Sequence, residues 1–394
     1  ENYKKMRAYP NFRVRERNAK KGVEAMIDHM VKNLLWLHDN YDPAYRQEAT
    51  KWYPGARGIV DRWTQKYPLK DTQLAGATAA LSPQKNWYMN VSLVERMVDV
   101  FMENQNFVWD KKLNSTMNRI FSPKRVKKET AKASRRALQK AIRGKTLAEL
   151  LPTGKNKNYV PAAAYMRIFS ETYHDKKFQL INPDGQIVGW SVNKDGKTPT
   201  KVTWGSNSEI AKALSMIADG SISNISKQLG LMHKIRNFFN NIVDPENPAG
   251  FVTMDTHAIA AALLRPFGGS STPVGHNFGT GTKNSSVYGF KGIYPIFGEA
   301  YKRAAAERDI LPRAMQSITW EAVRSMFPQA WKTKKTQAAV DAIWKEYKKG
   351  KISHDEAIQK VSDYAGGIKN PSWAGSSGRF LGEPGTTTYE RLLP

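Results

Sequence analysis

Val23, Met26, Ile27, Met30, Val31, Leu34 and Leu35 stand three or four positions apart, which lines them along one face of a helix. Leu74 to Phe101 is a second apolar helical stretch, interrupted at Ser82-Pro83. A proline removes a ladder hydrogen bond and disfavours helix at the residue before it. Pro83 is therefore expected to open a new helix through Trp87 and Val91 to Val100, with Gln84 near its start. Helices are also predicted over 208–239, 293–326, 336–349 and 355–364, the last capped by Ser353. The exception is 178–204. There Asn182-Pro183-Asp184-Gly185 and Asn193-Lys194-Asp195-Gly196 separate apolar runs ending at Lys201 to Trp204, a pattern that predicts a small β-meander. Residues 268–289, rich in Gly, Ser, Thr and Asn, read as an irregular loop carrying His276 and Lys283. After Gly366 the composition is that of a surface tail. The expected class is mainly α.

With 394 residues, 40% of them apolar, the chain can bury a sizeable core. It has no cysteine, which excludes disulfides, thiol nucleophiles, Cys-ligated zinc and iron–sulfur clusters on protein thiolates. No apolar run is long enough to span a bilayer, so no membrane partner is expected and a cytoplasmic location is. The seven histidines lack metal-ligand spacing and no phosphate-binding glycine–lysine loop occurs, so neither metal, cofactor nor nucleotide triphosphate is expected. The net charge is +26, and half of that excess sits between Lys111 and Lys157, with fifteen Lys/Arg and two acids. Such a balance points to a polyanion, most often nucleic acid. Lys124, Arg125, Lys127, Lys128, Arg135 and Arg136 lie in a weakly amphipathic, exposed helical segment. They are candidate phosphate contacts, or simply a solvated helix face.

Three segments carry chemistry: Leu81-Ser82-Pro83-Gln84-Lys85-Asn86, then Leu229-Gly230-Leu231-Met232-His233-Lys234-Ile235-Arg236, then Val252-Thr253-Met254-Asp255-Thr256-His257. In this order they resemble the helix–hairpin–helix DNA glycosylases, most closely endonuclease III, as a divergent, phage-type member. The resemblance implies a two-lobed helical core and double-stranded DNA as partner. It further implies Gln84 as a wedge entering the duplex, Lys234 as nucleophile and Asp255 as catalytic carboxylate, with Gly230, His233, Arg236, Lys85 and Asn86 on the DNA side. Met232 replaces the hairpin's second glycine, and the family's cysteine-held cluster has no counterpart. The basic segment and meander lie between the wedge and hairpin segments. The expected division is 1–110, 111–207, 208–330 and 331–394.

The residues also make sense by themselves. Breaking an N-glycosidic bond builds positive charge on the sugar, which a carboxylate can stabilise. Asp255 is equally placed to cap the helix that follows it. Lys234 can act as an amine nucleophile or hold a phosphate. Gln84 can fill the gap left by a flipped base or lie on the surface. His257 reads as a packing residue rather than a base. Two other functions stay open on the same sequence: group transfer to an activated base in phage DNA, and non-catalytic, virion-associated DNA binding.

Overall fold

The computed structural model describes residues 2–14, 16–83, 85, 87–122, 124, 128–153, 157–175, 179–190, 202–278 and 292–371. The chain is mainly helical, as the periodicity requires. Its contacts form two compact units, one from residues 1–58, 182–186 and 231–377, the other from 59–181 and 187–230. These units cut across the four expected segments. Residues 1–110 feed both, and 208–330 divides after Gly230.

At the centre of the first unit is Thr256–Leu263, an alanine-rich helix buried from Ala258 to Leu263. Small side chains let Ala19–Asn40, Tyr294–Ala306 and Pro312–Met326 pack around it. Ala19–Asn40 turns Met26, Ile27, Met30, Val31, Leu34 and Leu37 inward and begins on Asn18, whose side chain accepts from the N–H groups of Lys20 and Lys21. A buried helix leaves C-terminal carbonyls that water cannot reach. Here Asn33 donates to Ala262 O at 2.9 Å, Asn11 to Leu263 O at 2.7 Å and the Trp344 indole to Leu264 O at 3.2 Å. Lys334–Lys348 packs on His354–Ala365, which starts at the expected Ser353 with a Ser353/Glu356 capping box.

The second unit has its own buried alanine-rich helix, Asp71–Ala80, packed against Asn207–Ala218 and Ile222–Leu229. Val160–Tyr173 joins it through Asn207–Ala218 and reaches Lys111–Phe121, Glu129–Ile142 and Trp87–Glu103. Glu129–Ile142 buries only Ile142, so an exposed basic helix is present but starts later than expected, with Lys128 as its N-cap and Lys124 before it.

Three local expectations change. The break at Ser82-Pro83 is real, but the next helix begins at Trp87, so Pro83 lies in the connection rather than in the first turn. Of the meander, Gln179–Ile181 and Ile187–Trp190 pair as an antiparallel hairpin. Its turn is closed by Asn182 Oδ1 accepting from Gln186 N–H at 2.8 Å and by Gly185 at φ 77°. Residues 202–204 form no strand, and the second turn lies outside the described residues. In the glycine-rich loop, Thr272–Asn277 is a short helix opening on Pro273 and carrying His276, while Lys283 is outside the described residues. Among the described residues no helix is long and apolar enough to cross a membrane.

Candidate active site

Asp255 follows a short non-helical segment, Val252 to Met254, which turns through a bond from Met254 N–H to Val252 O at 3.2 Å and is pinned from two sides. The Tyr294 hydroxyl donates to Val252 O and accepts from Met254 N–H, both at 2.8 Å. From the helix His233–Val243, Asn237 donates to Val252 O at 2.9 Å and Asn241 to Thr253 Oγ1 at 3.2 Å. Lys234, Asn237 and Asn241 are three and four residues apart, so they share one helix face. The face that clamps this segment is therefore the one that carries Lys234.

Both carboxylate oxygens of Asp255 have defined donors. Oδ1 accepts from Ala258 N–H at 2.7 Å, which makes Asp255 the N-cap of the central helix. Oδ2 accepts from the Trp320 indole at 2.9 Å. The group is half-buried: densely surrounded, yet still touched by solvent. Burial pushes its carboxyl up. His257 and Lys234, helped by the Ala258 N–H and the indole, outweigh that effect, and the net displacement is below the usual carboxylate value. Asp255 is thus ionised at neutral pH.

His257 meets Trp320 edge to face at 5.8 Å between ring centres, and Lys332 Nζ lies 3.3 Å from its Nδ1. Burial drives the imidazole well below its ordinary value. Lys332, Arg324 and Lys234 add to that effect against the attraction of Asp255, so the ring is neutral at pH 7. Lys332 is itself half-buried. Burial and the neighbouring Arg324 bring its ammonium down to about 8, against the pull of Asp255. The Arg324 guanidinium lies 4.1 Å from the centre of the Trp320 ring, and Trp52 meets the same residue in a T-shaped contact at 6.2 Å. One carboxylate thus stands among three cationic side chains, a neutral imidazole and an indole.

The other sequence candidates are distributed unevenly. Gly230 ends Ile222–Leu229 at φ 65°, the left-handed region where glycine is favoured. Met232, in the place of the second glycine, has φ −82°, so the turn does not require glycine there. His233 is buried with its ring stacked on Tyr294 at 4.6 Å, occupied in packing, and Arg236 is half-buried. Lys85 belongs to the second unit, half-buried, with burial lowering its ammonium against the attraction of Glu209. Lys124, Lys128 and Arg136 are exposed, whereas Arg135 is half-buried and donates to Ile120 O at 3.2 Å. Gln84, Asn86, Arg125 and Lys127 lie outside the described residues. Trp320, Arg324 and Lys332 were not singled out from the sequence as site residues. Among the described residues no group of three His, Asp or Glu is gathered to hold a metal.

The chain belongs to a protein family of unknown function, DUF7178, whose model matches residues 16–160 and 199–327. Lys234 and Asp255 fall inside the matched stretches, and Lys332 beyond them. No curated protein and no solved structure matches the chain.

Proposed function

We propose that this chain excises a base from double-stranded DNA, in the manner of the helix–hairpin–helix glycosylases. The observation that carries the reading is the meeting of Asp255 and Lys234. They come from separate segments, and the face of His233–Val243 that holds Lys234 also fixes the approach to Asp255.

Loss of a base leaves positive charge on C1′ and O4′ of the deoxyribose. An ionised carboxylate held by two donors faces that charge without having to reorient, which is the condition under which electrostatic stabilisation is strongest. Asp255 can also take a proton from the attacking group. Lys234 and Arg324 supply positive charge suited to the flanking phosphates. The chain's overall charge of +26 favours the encounter with DNA.

The test is release of free base from duplexes each carrying one modified base. Asp255→Asn retains a side chain able to cap the helix but removes the charge. Release should fall by about 100-fold or more with DNA affinity little changed. Undiminished release in the variant overturns the reading.

A further inference from the structure

We propose that Lys332 is a carbonyl-condensing amine of this site, and that its partner is the aldehydic C1′ of a base-free deoxyribose. The nature of that sugar rests on the base-excision reading; the role of the amine does not.

Lys332 directly follows the short 3-10 turn Gln329–Trp331 and lies outside all three chemistry-bearing segments. Its Nζ is 3.3 Å from Nδ1 and 3.5 Å from Nε2 of His257, so the amine rests against the ring instead of lining up with one nitrogen. That ring packs on Trp320, whose indole N–H is held by Asp255. The amine is thereby tied to the same cluster as the carboxylate while remaining partly open to solvent.

An amine condenses with a carbonyl only in its neutral form. The groups that act on Lys332 are Arg324, which opposes its ammonium charge, Asp255, which favours it, and His257, a neutral neighbour against which it packs. Burial and Arg324 prevail, placing its titration at about 8 where an exposed lysine stays charged to above 10. In the step itself the nitrogen lone pair forms the bond to carbon, and the carbonyl oxygen departs with the two N–H protons as water. The product is an imine. Hydrolysis reverses it, so no oxidant or other reactant is consumed.

The experiment treats the full chain with 2-deoxyribose 5-phosphate and sodium cyanoborohydride, which reduces the imine to a stable adduct, and maps the modified lysine by peptide mass spectrometry. At pH 7, Lys332 should be labelled about 100-fold faster than exposed lysines, following its larger neutral fraction. The rate should rise with pH toward about 8 and then decline, because cyanoborohydride reduces only the protonated imine. Lys332→Ala and Lys332→Arg should lose this adduct, and Lys128→Gln, on the exposed basic helix, should keep it. Labelling spread over surface lysines, or an excess at Lys234, overturns the proposal. A second arm traps the chain with borohydride on a duplex containing an abasic site. Trapping at Lys332 supports both ideas. Trapping at Lys234 overturns the proposal and leaves the excision reading standing. Sugar phosphate labelling at Lys332 with no trapping on the duplex upholds the amine and counts against excision.

Discussion

Each unit is built around a buried, alanine-rich helix, and the two solve the same problem differently. In the second unit, Asp71–Ala80 begins with Gln73 turned back to accept from Lys70 N–H at 2.9 Å. The same amide donates to Ile217 O at 2.6 Å, satisfying a carbonyl of Asn207–Ala218. Asp71 adds a carboxylate in the first turn that accepts from Thr72 N–H at 2.7 Å. In the first unit, the corresponding end of Thr256–Leu263 carries a carboxylate with Lys234, Arg324, Lys332, His257 and Trp320 around it. Both ends thus carry a carboxylate, and what sets Asp255 apart is the gathering of cations, imidazole and indole around it. On the proposed reading, that surplus serves chemistry rather than capping.

The strongest way to break this comparison is to separate charge from cap. Asp255→Asn should abolish nearly all base release while costing about 1 kcal/mol in urea denaturation, because Asn caps as well as Asp but its amide cannot also accept from the Trp320 indole. If stability falls and release survives, the carboxylate is a cap and nothing more. Gln73→Ala, by contrast, should cost about 1–2 kcal/mol in urea denaturation, since it strips a cap and leaves a buried carbonyl unpaired.

Acid should act on the units with opposite sign. His29 and His354, tilted against each other with ring centres 4.4 Å apart in the first unit, are both held below the ordinary histidine value by burial. His354 lies at about 4, and neither ring nitrogen of His29 has a hydrogen-bond partner. Bases with depressed folded values give stability that is present above 6.5 and lost as pH falls toward 4. Glu95 of the second unit is raised by burial, so its contribution is full below 4.5 and lost as pH rises through its folded value. Hydrogen exchange between pH 7 and 4 should show the amides of Thr256–Leu263 losing protection before those of Asp71–Ala80. The reverse order would contradict the assignment. The smallest expected effect is on the exposed helix. Lys128→Gln and Arg136→Gln should each lower the salt-dependence slope of DNA binding by about 1, uniformly across sequences. Arg135, engaged with Ile120 O, should affect stability as well.

Much of the fold was legible because helical periodicity is written locally. The face from Met26 to Leu34, the Ser353 cap and the Asn182–Gly185 turn all depend on residues within a few positions of one another. The link between Lys234 and Asp255 was legible only through the resemblance, though Lys234, Asn237 and Asn241 do share a face that spacing alone reveals. Trp320 was not legible as a ligand of Asp255. It stands 65 residues away, on a helix whose pattern says only that it is amphipathic. Lys332 was hidden for a different reason. A lysine's charge state is set by what surrounds it in space, and neither Arg324 nor His257 marks it in the sequence.

The donors at the far end of the central helix have a consequence for the order of events in folding. Asn11 and Asn33 lie 252 and 229 residues before the carbonyls they serve, and Trp344 lies 80 residues after its own. Closing loops of that length is slow, and during synthesis the last of these donors leaves the ribosome long after Asp255 has. The helix that aims Asp255 cannot be fully seated until residues from both sides of the chain arrive. Nascent chains and early intermediates should therefore be unable to act on DNA, and reactivity should appear late, together with the final consolidation of the first unit.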